Sequence, residues 1–152
     1  MKLSDYLTEK TVEAQSSISG SSRILERLVD LVEAPKAFMD SATLLAEIKQ
    51  REKLGSTGIG EGVAIPHVHL KDVHEMRVAM LTTKSPVEFG AVDEKPCGIF
   101  IMVVAPDDDR DAYLNLLSAV SGLMRREHVR KALSSAASSG DILKVLREAE
   151  RA

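Results

Sequence analysis

The stretch Gly98–Ala105, GIFIMVVA, is apolar throughout and carries no charged side chain. Its β-branched residues favour an extended strand over a helix: Ile99, Ile101, Val103 and Val104. An unbroken apolar run of this kind is typical of a strand buried on both faces, because a half-exposed strand would alternate apolar and polar residues. The run therefore predicts a strand inside a sheet that helices cover on both sides.

The segments around this strand alternate between helical and extended patterns. Downstream, Pro106 and Asp107–Asp109 open a helix whose apolar residues recur at spacings of three and four from Tyr113 to Met124. Other helices are predicted at 127–135, at 140–149, between Ser21 and Pro35, and between Asp40 and Gly55, with strands over 76–82 and 86–89. This order predicts an α/β fold, a single domain over residues 1–152 with a mixed β-sheet flanked by helices on both faces.

The composition is that of an ordinary globular protein. Of 152 residues, 44% are hydrophobic, 28% are charged and 3% are aromatic, and the net charge is −3. These values argue against a positive field or a stacking surface for nucleic acid. Cys97 is the only cysteine, so no intrachain disulfide can form and a reducing compartment is expected. The N-terminal segment MKLSDYLTEK has no apolar run of signal-peptide length, and no apolar run is long enough to span a membrane, which predicts a cytoplasmic protein without direct membrane insertion.

A glycine-rich stretch, Arg51–Leu70, supplies the candidate functional residues: REKLGSTGIGEGVAIPHVHL. Its four glycines between Gly55 and Gly62 permit tight turns and leave backbone N–H groups accessible, as an anion site requires. His67 follows, and a neutral imidazole nitrogen can attack phosphorus and hold the group covalently. Arg51 offers a planar cationic fork for phosphate oxygens. The alternative is an ordinary surface histidine after a common kind of turn.

The string from Arg51 to His67 resembles the active-site signature of enzyme IIA domains of the fructose/mannitol class. These domains belong to the bacterial phosphoenolpyruvate-dependent phosphotransferase system (PTS), and the class includes the nitrogen-regulatory IIA proteins. The LSDYL segment, the two helices before Arg51 and the GIFIMVVAPDD junction are similar to the same family, so the resemblance covers nearly the whole chain. It implies the IIA fold and a phosphotransferase component that needs no metal or other cofactor.

The resemblance also implies a role for each matching residue. His67 matches the histidine that accepts a phosphoryl group on Nε2 from the phosphocarrier protein HPr or its nitrogen-branch relative, while a backbone contact holds Nδ1. In transporter-linked members, the group then passes to a cysteine of a IIB domain. Arg51 matches the arginine beside that histidine. Gly58, Gly60 and Gly62 match the motif glycines, and we predict that they help to bind the phosphoryl group.

Two positions depart from the family pattern. Tyr113 stands where the family usually has a second histidine, and it either donates a hydrogen bond to a phosphoryl oxygen or packs at the core edge. His69 stands where the family often has arginine. Because side chains alternate along an extended segment, His69 shares a face with His67 and can replace some of the missing polar function. Alternatively, this H-x-H pair binds a transition metal with Asp72 or His74.

The expected partners follow from the same resemblance. They are an HPr-type phosphocarrier and either a IIB domain or a regulatory target, with no nucleic acid. An apolar rim around His67, formed by Ile59, Ile65 and Val68, is predicted to meet them in small, transient contacts. The alternative function is a non-catalytic regulatory protein that keeps the IIA fold and controls a target by docking. These residues do not distinguish a function in sugar transport from a function in regulation.

Overall fold

The apolar run at residues 98–105 lies at the centre of a six-stranded sheet in the computed structural model, which describes residues 2–151. The strands are β1 (Val12–Ser16), β2 (Gly58–Gly60), β3 (Val63–Ala64), β4 (His67–Leu70), β5 (Arg77–Val87) and β6 (Cys97–Pro106). The helices are α1 (Ser21–Glu33), α2 (Ser41–Leu54), α3 (Arg110–Met124), α4 (Glu127–Ser135) and α5 (Ser139–Arg151), after a 3-10 turn at Leu3–Tyr6. Within residues 2–151, no helix is both long and apolar enough to cross a bilayer.

The sheet is mixed, as predicted. Its strand order is β1-β5-β6-β3-β2, and β4 also pairs with β6. β5 runs antiparallel to β6, whereas β3 and β4 both run parallel to it. Val63 pairs with Ile99 and His67 pairs with Val103, so β3 and β4 follow each other along the same side of β6. The end of the glycine-rich stretch is therefore held against β6, which is buried along nearly its whole length.

Helices cover both faces of the sheet, which confirms the predicted architecture. Alternate residues of β6 belong to different clusters, because successive side chains of a strand point to opposite faces. Ile99, Ile101 and Val103 pack with α3, α4 and α5. Phe100, Met102 and Val104 pack with α1 and α2. The unbroken apolar run thus serves two cores at once.

Local capping determines where the helices beside the glycine-rich stretch begin and end. The side chain of Asp40 accepts a hydrogen bond from a first-turn N–H of α2 at 3.0 Å, and Gly55 follows the last residue of that helix. Asp109 caps α3 in the same way at 3.2 Å. Arg51 consequently lies in the last turn of α2, and Tyr113 lies in the first turn of α3.

The prediction of two separate strands over 76–82 and 86–89 is wrong. One strand, β5, runs continuously from Arg77 to Val87. Its polar residues Lys84 and Ser85 are exposed, and the pairing with β6 is irregular between Thr82 and Val87. The polar residues interrupt the hydrophobic pattern without ending the strand, because this part of β5 faces solvent.

We expect opposite effects on stability from two glycine-to-alanine changes. An added Cβ at Gly58 would lie 2.7 Å from Cβ of Ala91, so Gly58→Ala should lower the free energy of unfolding by about 1–3 kcal/mol. At Gly122, inside α3, an added Cβ meets nothing within 4 Å. Gly122→Ala should therefore raise the free energy of unfolding by about 0.5–1 kcal/mol. Urea unfolding measures both, and changes of the same sign would contradict this packing.

Candidate functional site

His67 is half-buried at the start of β4, and its ring is held in one orientation by the backbone. Its Nδ1 lies 2.9 Å from the carbonyl oxygen of Ile65. A carbonyl oxygen can only accept a hydrogen bond, so Nδ1 must carry the proton in this contact. In the neutral ring, the lone pair then lies on Nε2. The backbone therefore selects the tautomer that leaves Nε2 free to act as a nucleophile.

Two further rings from β4 and α3 surround His67. The ring centroids of His67 and His69 are 6.3 Å apart, and Tyr113 lies 5.4 Å from His67 and 4.5 Å from His69. Tyr113 is buried, and burial raises the pKa of its hydroxyl above the ordinary value of 10, which keeps the hydroxyl protonated. Nδ1 of His69 is buried and has no hydrogen-bond partner in the described part of the chain. The structure thus brings Tyr113 and His69, the two positions that depart from the family pattern, together beside His67.

Arg51 supplies the positive charge of this cluster. One guanidinium nitrogen, Nη1, donates a hydrogen bond to the carbonyl oxygen of Gly55 at 2.9 Å. This contact ties the side chain to the end of α2, which packs against β4. The charge of Arg51 acts to lower the pKa of His67 and the pKa of Tyr113, in each case as a smaller effect than burial. The charge of Arg51 is therefore felt by the cluster of rings that His67, His69 and Tyr113 form.

We expect His67 to titrate below its ordinary pKa of 6.5. Burial lowers the pKa most, the Ile65 carbonyl opposes this, and the positive charges of Arg51 and His69 lower it further. An NMR titration of the ring carbon protons measures it, and a pKa above 6.5 would contradict the geometry. Since the unfolded chain then binds the proton more readily, this histidine should destabilise the fold as the pH falls below about 6.5.

The motif glycines lie in the hairpin that β2 and β3 form: Gly58 and Gly60 are in β2, and Gly62 is in the turn. Gly60 and Gly62 have φ of 97° and 79°, and Glu61, between them, has φ of 58°. A two-residue hairpin turn with positive φ at both central residues requires this kind of sequence. Gly58 packs against Ala91, and its N–H donates to Ser56 Oγ at 3.0 Å. Conformation and packing account for these glycines, and their part in phosphate binding stays a prediction.

The predicted apolar rim is wrong at two of its three positions. Ile65 and Val68 are only 2% and 8% exposed, because they pack into the two cores on opposite faces of the sheet. Ile59 is 46% exposed, as predicted. The other large apolar side chains that are exposed within residues 2–151 are Leu54, Val92 and Leu114, with 83%, 78% and 56% of their surface exposed. Side chains on either side of Pro66 alternate between the two faces of the sheet, and the sequence alone does not show which of them are buried.

The structure places no third metal ligand beside the H-x-H pair, His67 and His69, in the part of the chain that it describes. Within residues 2–151, no three His, Cys, Asp or Glu side chains come close enough together to hold a metal ion. His74 lies on the surface, whereas the ring of His69 packs edge-on against Tyr113. The two histidines of the pair therefore pack against the ring of Tyr113 rather than against further ligands.

A carboxylate near the site was missed by sequence reasoning. Glu52, next to Arg51, accepts hydrogen bonds from the backbone N–H and the hydroxyl of Thr57. Both residues stand in the glycine-rich stretch, but a glutamate in the last turn of a helix resembles any solvent-exposed residue. Only the reversal of the chain after Gly55 brings Thr57 back to it.

Comparison with known proteins identifies relatives along the whole chain. The family model described as phosphoenolpyruvate-dependent sugar phosphotransferase system, EIIA 2, matches residues 5–149. The nitrogen regulatory protein of Pseudomonas aeruginosa is 35% identical over 114 residues, which are 75% of this chain and 74% of that protein. The fructose-specific EIIABC component of Bacillus subtilis is 28% identical over 151 residues, or 99% of this chain, but the chain spans only 24% of that protein.

A solved structure shares the fold. The nitrogen regulatory protein IIA-Ntr from Neisseria meningitidis superposes with a TM-score of 0.85 at 27% identity, over 95% of this chain and 98% of that one. The resemblance seen in the Arg51–His67 string is thus confirmed by the family match and by the fold.

Proposed function

Because the chain belongs to the EIIA type 2 family of the phosphoenolpyruvate-dependent sugar phosphotransferase system, we propose that it is a phosphohistidine carrier with His67 as the acceptor. The observation that carries this proposal is the hydrogen bond from Nδ1 of His67 to the Ile65 carbonyl at 2.9 Å. It leaves the lone pair of a neutral imidazole on Nε2, and burial and positive charge lower the pKa of that ring. In this proposal, residues 1–152 form one EIIA type 2 domain.

The proposed reaction is a reversible displacement at phosphorus. The Nε2 lone pair of His67 forms the new N–P bond while the bond from phosphorus to the donor breaks, and the donor keeps that electron pair. The donor is a phosphorylated HPr-type carrier, as the family resemblance implies, and we place the reaction in the cytoplasm with that carrier. Because imidazole is a good leaving group, the same bond breaks readily in the next transfer.

The neighbouring side chains have distinct parts in this proposal. Arg51 neutralises the charge on the phosphoryl oxygens. The Tyr113 hydroxyl, kept protonated by burial, donates one hydrogen bond to a phosphoryl oxygen, and His69 adds a second polar group from β4. The resemblance adds Gly58, Gly60 and Gly62 to the residues that bind the phosphoryl group, although the N–H of Gly58 already donates to Ser56 Oγ. The pair of Tyr113 and His69 thus takes the place of the second histidine that the family usually carries.

Two onward routes fit the relatives. The fructose-specific relative is named as an EIIABC component, which supports a IIB domain as the next acceptor. The Pseudomonas and Neisseria relatives are named nitrogen regulatory proteins, which supports a regulatory target. No observation favours the alternative of a protein that only docks and never carries a phosphoryl group.

Incubation with a phosphorylated HPr-type carrier tests the proposal. We expect intact-mass measurement to show one added phosphoryl group that is labile in acid and stable in base, as a phosphorus–nitrogen bond requires. A protein that stays unlabelled by HPr and by its nitrogen-branch relative would overturn the carrier function and leave the docking protein. Label that is stable in acid would overturn the histidine chemistry.

A further inference from the structure

The carboxylate of Glu52 holds the loop that follows α2. The backbone N–H of Thr57 donates to Oε2 of Glu52 at 3.3 Å, and the hydroxyl of Thr57 donates to Oε1. Thr57 is 5% exposed. Burial raises the pKa of Glu52, although both hydrogen bonds with Thr57 lower it. A carboxylate held away from water in this way has a cost, so its two contacts with one residue need an explanation.

The same threonine is linked to the ring of His67. The carbonyl oxygen of Thr57 accepts a hydrogen bond from the backbone N–H of Ile65 at 3.0 Å. The carbonyl oxygen of Ile65 in turn accepts the hydrogen bond from Nδ1 of His67 at 2.9 Å. A continuous series of contacts therefore runs from Glu52 through Thr57 and Ile65 to the nitrogen that sets the tautomer.

The neighbouring residue on α2 anchors the other end of the same loop. Arg51 donates to the carbonyl oxygen of Gly55, two residues before Thr57, at 2.9 Å. The N–H of Gly55 also donates to the carbonyl oxygen of Glu52 at 3.2 Å. Arg51 and Glu52 thus hold the segment 55–57 from both ends, and this segment connects the arginine to the histidine.

We propose that Glu52 is a positioning residue for His67: by fixing Thr57, it holds the Ile65 carbonyl where that carbonyl keeps the proton on Nδ1 and the lone pair on Nε2. This inference rests on the proposed phosphoryl transfer, but the effect on the ring exists without a donor. When the carboxylate is removed, two donors of Thr57 lose their acceptor and the loop loosens. The Ile65 carbonyl then constrains the ring less, and both tautomers of His67 become populated.

Two substitutions separate positioning from charge. Glu52→Ala removes both contacts. Glu52→Gln keeps them without the charge, because its Oε1 can accept from the Thr57 N–H and its Nε2 can donate to the Thr57 hydroxyl. Gln50→Ala is the matched control, since Gln50 is an exposed, uncharged residue two positions away on the same helix. Circular dichroism and urea unfolding establish that each variant is folded.

The first measurement is the tautomer of His67 in the unphosphorylated protein, from long-range nitrogen–proton NMR correlations of the ring. We expect the wild type, Glu52→Gln and Gln50→Ala to have the proton on Nδ1, and Glu52→Ala to show a mixture. The second is the rate of phosphorylation by the carrier, which should fall about 10–100-fold in Glu52→Ala. It should recover to within about threefold of wild type in Glu52→Gln.

The outcomes distinguish this proposal from the function on which it rests. A folded Glu52→Ala protein with the wild-type tautomer would overturn the positioning role, and so would a glutamine variant as impaired as the alanine variant. If the wild type takes up no phosphoryl group, the carrier function fails, but the tautomer comparison still decides the positioning role. A change of tautomer confined to Glu52→Ala would support it in that case as well.

Discussion

His67→Ala is expected to abolish stable phosphorylation, with a fall in the rate of acceptance of at least about 10³-fold. The proposed N–P bond forms at Nε2 of this residue, and alanine offers no nucleophile in its place. The side chain is half-buried and lies at the start of a strand, so its loss leaves the two cores of the sheet intact. Intact mass after incubation with the phosphorylated carrier measures the effect.

His69→Ala is the matched control for this prediction. It removes the other imidazole of the site from the same strand, and its Nδ1 is buried without a hydrogen-bond partner among residues 2–151. We expect this variant to keep the label and to lose about tenfold in rate, because one polar contact to the phosphoryl group is removed. Label that persists in His67→Ala and disappears in His69→Ala would show that His69, and not His67, is the acceptor.

Arg51→Ala is expected to slow acceptance by about 10²–10³-fold. The guanidinium is close enough for its charge to act on the ring of His67, and charge stabilisation is worth most where water is excluded. The same change should raise the pKa of His67, because Arg51 acts to lower it. The rate should therefore fall although the histidine becomes more basic, which separates charge stabilisation from basicity. The rate of acceptance in Arg51→Lys should lie between the rates of the wild type and of Arg51→Ala, since an ammonium keeps the charge but loses the planar fork of the guanidinium.

Lys53→Ala provides the comparison for Arg51. Lys53 is an exposed cation in the same last turn of α2, so its loss changes the net charge equally. We expect less than about a threefold change in rate, because an exposed charge is screened by solvent. Equal effects of the two substitutions would show that overall charge, rather than the position of the guanidinium, controls the reaction. Stopped incubations analysed by mass measure the rates, and an NMR titration measures the pKa of His67.

Features that depend on neighbours in the chain were predictable from the sequence alone. The apolar run of β6 required burial on both faces, and Asp40, Gly55 and Asp109 marked helix ends, because caps act within one turn. The Arg51–His67 string indicated the family, since its spacing is specific. The even spacing of His67 and His69 also placed both rings on one face of an extended segment.

Tertiary structure alone decided what meets across distant segments. Ile65 and Val68 are buried because β3 and β4 lie beside β6, and no local pattern reveals which strands are neighbours. The packing of Tyr113 against both histidines depends on the first turn of α3 lying beside β4. The link from Glu52 to His67 runs through backbone groups, which every residue carries. Hydrogen bonds of that kind leave no trace in side-chain identity, so only the folded chain determines them.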